Sequence, residues 1–257
     1  LCDTYKLFAG VALSRLLLQA DNRKGDPMRI KSNNQKCFII FVILLFLFLN
    51  ACKRPLQTQG FNWPHWRGPD RNGVSKETSW NPKALISGPK ILWKVDLGQA
   101  NSNVTIENSL LFTAGSPGMT IYCLNAKTGK IIWKYLEAND TANATPTVDA
   151  GSVYMLGKKG ILVSLNKENG NLQWKKDLVA DYGGLKPYYG FSGSPVVEKD
   201  LIILTMNKSG IALNKKAGAM IWGSEKPPAD KYPPGLENNG VEYSTPVLYE
   251  QKGKMYA

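Results

Sequence analysis

Four cysteines, one histidine and a scatter of carboxylates are the residues of this 257-residue chain that could carry chemistry. Cys2, Cys37, Cys52 and Cys123 have neither the paired spacing of a zinc site nor the density of a disulfide framework. Cys123 lies in an apolar, strand-like run and reads as a small core residue rather than a nucleophile. His65 is the sole histidine, so no His-based triad or multi-His metal centre can be assembled. Between Trp63 and Trp66 it reads as packing. Glu168, Glu198 and Asp200 fall at turns, where solvated surface is the ordinary explanation. Arg67 and Asp70, in an Arg-Gly-Pro-Asp turn, are expected to pin the local segment. Gly-x-x-x-Gly-like spacings elsewhere lack the Lys and helix of a phosphate loop. No catalytic residue and no metal ligand is assigned.

Composition narrows the classes further. At 43% hydrophobic the chain can bury a sizeable core. The formal charge of +12 is carried by single lysines and arginines such as Lys94, Lys134 and Lys175, not by a basic run or helix, which argues against nucleic acid. Met28 is followed by Arg29, Lys31 and Lys36 and then by the apolar residues 37–49, the order of a signal peptide. As a helix those thirteen residues rise about 20 Å, short of the roughly 30 Å hydrocarbon layer, so a cleaved signal is favoured over an uncleaved anchor from about residue 36 to 51. Leu49-Asn50-Ala51-Cys52 resembles a bacterial lipobox, which implies lipidation of Cys52 and a new N-terminus there. Several acyl chains would hold the body on the membrane, where one alone holds it only marginally. The expected organisation is an upstream extension (1–27), a lipoprotein signal peptide (28–51), a tether (52–62) and a folded body (63–257). Removing residues 1–51 leaves a charge of +8, which mildly favours an anionic partner or surface.

The body repeats. Residues 124–133 (LNAKTGKIIW), 165–174 (LNKENGNLQW) and 213–222 (LNKKAGAMIW) share Leu-Asn, a glycine at the sixth place and a tryptophan at the tenth; GPKILW, ending at Trp93, is a degenerate copy. From Trp93 through Trp133 and Trp174 to Trp222 the steps are 40, 41 and 48 residues. Thr145-Pro146, Ser194-Pro195 and Thr245-Pro246 keep the same beat. Such a period suits propeller blades or helical repeats. The short β-branched runs between glycine turns decide for strands. Gly129, Gly170 and Gly218 are expected at turns needing positive φ. One Trp per period reads as packing between blades, each burying on the order of 200 Å². Pro146, Pro195 and Pro246 suit the first residue of a strand, where no ladder donor is needed.

These motifs resemble the pyrroloquinoline-quinone-like repeat family, lipoprotein type, related to the barrel-assembly propeller lipoproteins of the outer membrane. Residues 63–75 (WPHWRGPDRNGVS), 88–94 (GPKILWK) and 189–197 (YGFSGSPVV) resemble other segments of that superfamily. The resemblance implies an all-β propeller of four-stranded blades, about four of them here out of seven or eight, with the C-terminal half missing. Unpaired edges are then expected to prevent a stable, monomeric closed ring.

Two functional classes follow from the resemblance. Quinoprotein dehydrogenases hold pyrroloquinoline quinone and calcium through Asp, Glu and Asn residues, often beside a disulfide of adjacent cysteines; this chain has no adjacent cysteine pair. Non-catalytic propellers instead present loops to protein partners, which is the preferred reading: a lipid-anchored scaffold of the cell envelope, facing the periplasm from the outer membrane, without cofactor. Two insertions, residues 181–191 and 223–243, carry Tyr182, Tyr188, Tyr189 and Phe191 and Tyr232 and Tyr243. They are the expected partner face, with packing of the loops onto the ring as the alternative.

Overall fold

The computed structural model describes residues 62–78, 81–207, 210–223 and 243–257. The expected extension, signal segment, Cys52, the tether as far as residue 61, and Tyr232 lie outside the described residues. Three four-stranded antiparallel sheets follow one another along the chain. The first holds β1 (Thr105–Glu107), β2 (Leu110–Gly115), β3 (Met119–Asn125) and β4 (Ile131–Glu137). The second holds β5 (Thr147–Asp149), β6 (Ser152–Leu156), β7 (Ile161–Asn166) and β8 (Leu172–Asp177). The third holds β9 (Val196–Glu198), β10 (Leu201–Leu204), β11 (Ile211–Asn214) and β12 (Met220–Gly223). A hairpin of β13 (Tyr249–Gln251) and β14 (Lys254–Tyr256) begins a fourth. Strand order within each sheet is sequential, and β1 packs beside β5 and β5 beside β9, so the first strands converge. This is a partial propeller with meander blades.

The Leu-Asn…Gly…Trp motif is a lock between blades. Asn125, Asn166 and Asn214 each cap the β-turn that follows: Asn166 Oδ1 accepts from the backbone N–H of Glu168 (3.0 Å) and Asn169 (3.2 Å). The turn closes with Gly170 N–H donating to the Asn166 carbonyl at 2.9 Å, and the glycine takes φ +73°. On that glycine sits the tryptophan of the preceding repeat. Trp133 covers Gly170, Trp174 covers Gly218 and Trp93 covers Gly129. Their indole N–H groups donate to the carbonyls of Lys167 (2.9 Å), Lys215 (3.1 Å) and Ala126 (3.1 Å), each three residues before the glycine. A bulge recurs immediately before each strand-borne tryptophan, leaving Ile132, Gln173 and Ile221 unpaired. Trp93 occupies its seat from a segment outside any strand, and Trp222, on β12, is half exposed.

The Ser/Thr-Pro motif forms a second lock. Asn103 N–H donates to Thr145 Oγ1 (3.3 Å), Thr145 N–H to Ser194 Oγ (3.0 Å) and Ser194 N–H to Thr245 Oγ1 (2.9 Å), so each hydroxyl receives the backbone of the preceding repeat. Two ion pairs repeat the pattern, Lys167 to Glu107 at 2.6 Å and Lys215 to Asp149 at 2.8 Å, each tying a turn lysine to the innermost strand of the blade before. The core runs continuously between blades through Phe112, Met119, Met155, Leu162, Leu178, Ile202 and Leu213.

The segment before the first blade crosses the innermost strands. Trp63 exchanges backbone hydrogen bonds with Ile106 of β1 (2.7 and 2.9 Å), and the Pro64 carbonyl accepts from Val148 of β5 (2.9 Å). Arg71 donates to the Val197 carbonyl of β9 and lies 3.6 Å from Glu198. Three consecutive blades therefore hold one strap.

Candidate functional site

The connection from β8 to β9 is built rigid at its base. Asp177 Oδ1 accepts from Val179 (2.9 Å) and Ala180 (3.0 Å), while Asp181 Oδ2 accepts from Asp177 N–H (3.0 Å). Gly184 N–H returns to the Leu178 carbonyl (2.8 Å), and Leu185 N–H donates to Asn207 Oδ1 (2.9 Å). A turn follows in which Gly190 N–H donates to the Pro187 carbonyl (2.8 Å), and Phe191 N–H then docks on the Lys158 carbonyl of the β6–β7 hairpin (2.8 Å).

Between these anchors the turn projects two rings. Tyr188 and Tyr189 are 72% and 67% exposed and meet edge to face at 4.9 Å. Tyr243 joins them from the next repeat, its ring 6.0 Å from Tyr189 and its hydroxyl accepting from Tyr189 N–H at 3.3 Å. Ser192 Oγ donates to the Tyr243 carbonyl (3.1 Å) and ties Tyr243 to the same loop. Ordered aromatic rings with polar tips suit recognition of another protein, because little rotamer freedom is left to lose.

Not every aromatic of the insertion belongs to that face. Phe191 is 2% exposed and packs into the core beside Gly160, which corrects its expected place among contact residues: its anchoring N–H turns the ring inward. Tyr182 is half-buried against the core and its hydroxyl donates to the Gly218 carbonyl, so it braces the next blade's turn. Tyr188, Tyr189 and Tyr243 are thus the expected residues that come together on the surface.

The two carboxylates buried among the described residues are already committed. Glu137, nearly buried, receives Lys175 at 3.0 Å. Asp140, 1% exposed, accepts from the backbone of Thr141 (2.7 Å), Lys159 (2.7 Å) and Ile161 (2.9 Å), and Gly157 leaves it room. Glu198 is not the solvated turn acid expected from its position, because Arg71 reaches it. Arg71, with φ +55°, is the residue that sequence reasoning missed in the strap; among the described residues the Arg67 and Asp70 side chains bond locally, to the Asn72 carbonyl (3.3 Å) and Lys76 (2.7 Å). Burial, then the Arg71 charge, lowers the pKa of His65. Burial pushes the Cys123 thiol up to about 12, consistent with an inert core residue. Among the described residues no three His, Cys, Asp or Glu side chains gather to hold a metal ion. With both buried carboxylates spent on Lys175 and on backbone amides, the described blades do not fit the carboxylate set that a calcium-quinone pair requires. No helix among the described residues is long and apolar enough to cross a membrane.

Comparison with known proteins agrees with this architecture. The chain is 25% identical over 175 residues to the outer membrane protein assembly factor BamB of Yersinia pestis, covering 62% of this chain and 42% of that protein. It is 24% identical over 139 residues to the quinoprotein ethanol dehydrogenase of Pseudomonas putida, covering 47% of this chain and 22% of that enzyme. The crystal structure of quinohemoprotein alcohol dehydrogenase from Comamonas testosteroni superposes with a TM-score of 0.55 at 17% identity, over 66% of this chain and 28% of that one, a likeness of fold alone. The chain thus spans less than half the length of these relatives. Residues 87–249 match the family model for outer membrane protein assembly factor BamB, and since that stretch contains all three locked blades, the chain belongs to the BamB family of pyrroloquinoline-quinone-like propeller repeats.

Proposed function

We propose that this protein is a lipid-anchored propeller of the cell envelope that acts as a non-catalytic scaffold, binding a protein partner during outer-membrane protein assembly. The observation that carries the reading is the braced, exposed Tyr188–Tyr189–Tyr243 face. Family membership supports the assembly role, and the spent buried carboxylates count against a quinone-calcium site in these blades. The anchor is Cys52, acylated after removal of the signal peptide at residues 28–51, and the body faces the periplasm from the outer membrane. Neither nucleic acid nor a cofactor has a part in this role.

The first test is dye reduction by the full-length protein, supplied with pyrroloquinoline quinone and calcium and offered a panel of alcohols and sugars. The expected result is no turnover and no quinone binding; quinone-dependent turnover would replace the scaffold with a dehydrogenase. A photo-crosslinking residue at position 188 is expected to trap a barrel-assembly component in cells. Metabolic labelling with a fatty acid should mark the protein and fail for Cys52→Ala.

A further inference from the structure

The tyrosine face is bordered by cations that have no ion-pair partner among the described residues. Lys158 and Lys159 lie on the β6–β7 hairpin and Lys186 precedes the Pro187–Gly190 turn; all three are exposed, and none makes an ion pair among the described residues. Lys158 underlies the turn that carries the rings, and Lys159 and Lys186 adjoin Lys158 and that turn in the chain. A Cβ on Gly190 would stand 2.3 Å from Lys158 Cγ, so the turn that carries Tyr188 and Tyr189 rests directly on the Lys158 stem. In the adjoining turns Asp140 is buried under three backbone N–H groups, and Asp177 and Asp181 accept from the N–H groups of their own turn, so none of the three is ion-paired with these lysines. Elsewhere in the same blades lysines do find carboxylates, as Lys167, Lys175 and Lys215 show. The trio thus places three exposed ammonium groups, without ion-pair partners among the described residues, on the two loops that meet beneath the tyrosines.

We infer that the face made by Tyr188, Tyr189 and Tyr243 with Lys158, Lys159 and Lys186 takes an acidic, aromatic-containing extended segment of a protein partner. This rests on the scaffold reading and adds the chemistry of its ligand. The tyrosines supply contact area for aromatic or aliphatic side chains, and the lysines complement carboxylates flanking them. An anionic membrane surface fits less well, since basic clusters that hold to lipid carry roughly 4–8 cations and this one has three.

The test is fluorescence anisotropy of the full-length protein with a labelled twelve-residue peptide of alternating Glu and Tyr, beside a Gln-for-Glu control. The expected result is saturable binding of the Glu peptide, weakened by added salt, with little binding of the control. Lys158→Glu with Lys159→Glu should weaken it at least about tenfold, mostly through the association rate, with an unchanged melting curve. Tyr188→Ala with Tyr189→Ala should weaken both peptides. Equal binding of the two peptides, or binding indifferent to the lysines, overturns the inference. So does binding only after residues 224–242 are deleted, which would make the chain's own segment the occupant. Lysine-dependent binding to phosphatidylethanolamine–phosphatidylglycerol vesicles without peptide binding overturns it in favour of lipid. If the peptide fails while the crosslink at position 188 still traps an assembly component, the acidic class is wrong and the scaffold stands. Quinone-dependent turnover would remove both.

Discussion

Replacing Gly170 with alanine adds one methyl group to the tightest point of the blade lock. The backbone there has φ +73°, where an L residue costs about 1–2 kcal/mol relative to glycine. The new Cβ would stand 2.7 Å from Trp133 Cε3 and 2.8 Å from Cδ2, well inside the roughly 3.5–4.0 Å of a comfortable carbon contact. Trp133 has little room to yield, because its indole N–H is held by the Lys167 carbonyl and its ring lies 5.9 Å from Phe112. Overpacking of this kind costs about 1–3 kcal/mol, so the total is about 2–5 kcal/mol. With a urea dependence of about 2 kcal/mol per molar, the unfolding midpoint should fall by roughly 1–2.5 M. Gly151→Ala is the control: no atom lies within 4 Å and its φ is not left-handed, so its effect should stay within about 0.5 kcal/mol. A double-mutant cycle separates strain from collision. In a Trp133→Leu background Gly170→Ala should keep only its backbone cost, leaving a coupling of about 1–3 kcal/mol. An additive cycle, or equal midpoints for the Gly151 and Gly170 variants, would refute the account of tryptophan seated on the next blade's glycine.

Cys123 should resist alkylation by iodoacetamide at pH 8 in the native protein and react fully in denaturant, since its thiol is buried and its pKa lies near 12. The Asp149 hydrogen bond raises the pKa of Lys215 above 10.5, so its contribution to stability is complete below that value and is lost as pH climbs through the higher folded-state value. Urea midpoints measured from pH 9 to 12 should therefore fall less steeply for Lys215→Met than for wild type. Phe191→Ala should cost about 3–5 kcal/mol and lower the melting temperature, whereas Tyr188→Ala should leave melting within about 0.5 kcal/mol and weaken partner capture; the reverse ranking would mean the turn is built otherwise.

The fold was legible where chemistry repeats. Leu-Asn marks an Asx-capped turn and the sixth-place glycine a left-handed residue in all three blades, and the tenth-place tryptophan is a packing ring in the first two, Trp222 being half exposed. Their partnership was hidden, because a tryptophan meets the glycine of the following repeat rather than the one beside it in sequence. The bulge before each tryptophan has no residue signature either, since Ile, Gln and Ile occupy it. At the surface, Tyr188 and Tyr189 could be picked from an insertion rich in tyrosine, but nothing in YGFSG distinguishes an inward Phe191 from an outward neighbour. Its direction is set by a backbone bond to Lys158, on another hairpin. Arg71 was overlooked because one arginine among many has no period to mark it.

The strap across the innermost strands changes how load passes through the blades. In a plain stack of repeats each unit is coupled only to its neighbours, so a pull at one end peels blades in succession. Here Trp63 and Pro64 grip the first two blades and Arg71 grips the third. Tension arriving from the chain upstream of residue 62 meets the Trp63 bonds first and is passed on to β9 only when these have parted. The strap should accordingly peel in successive steps, the Trp63 and Pro64 bonds before the Arg71 grip on β9, and replacing Arg71 with alanine should remove the last step.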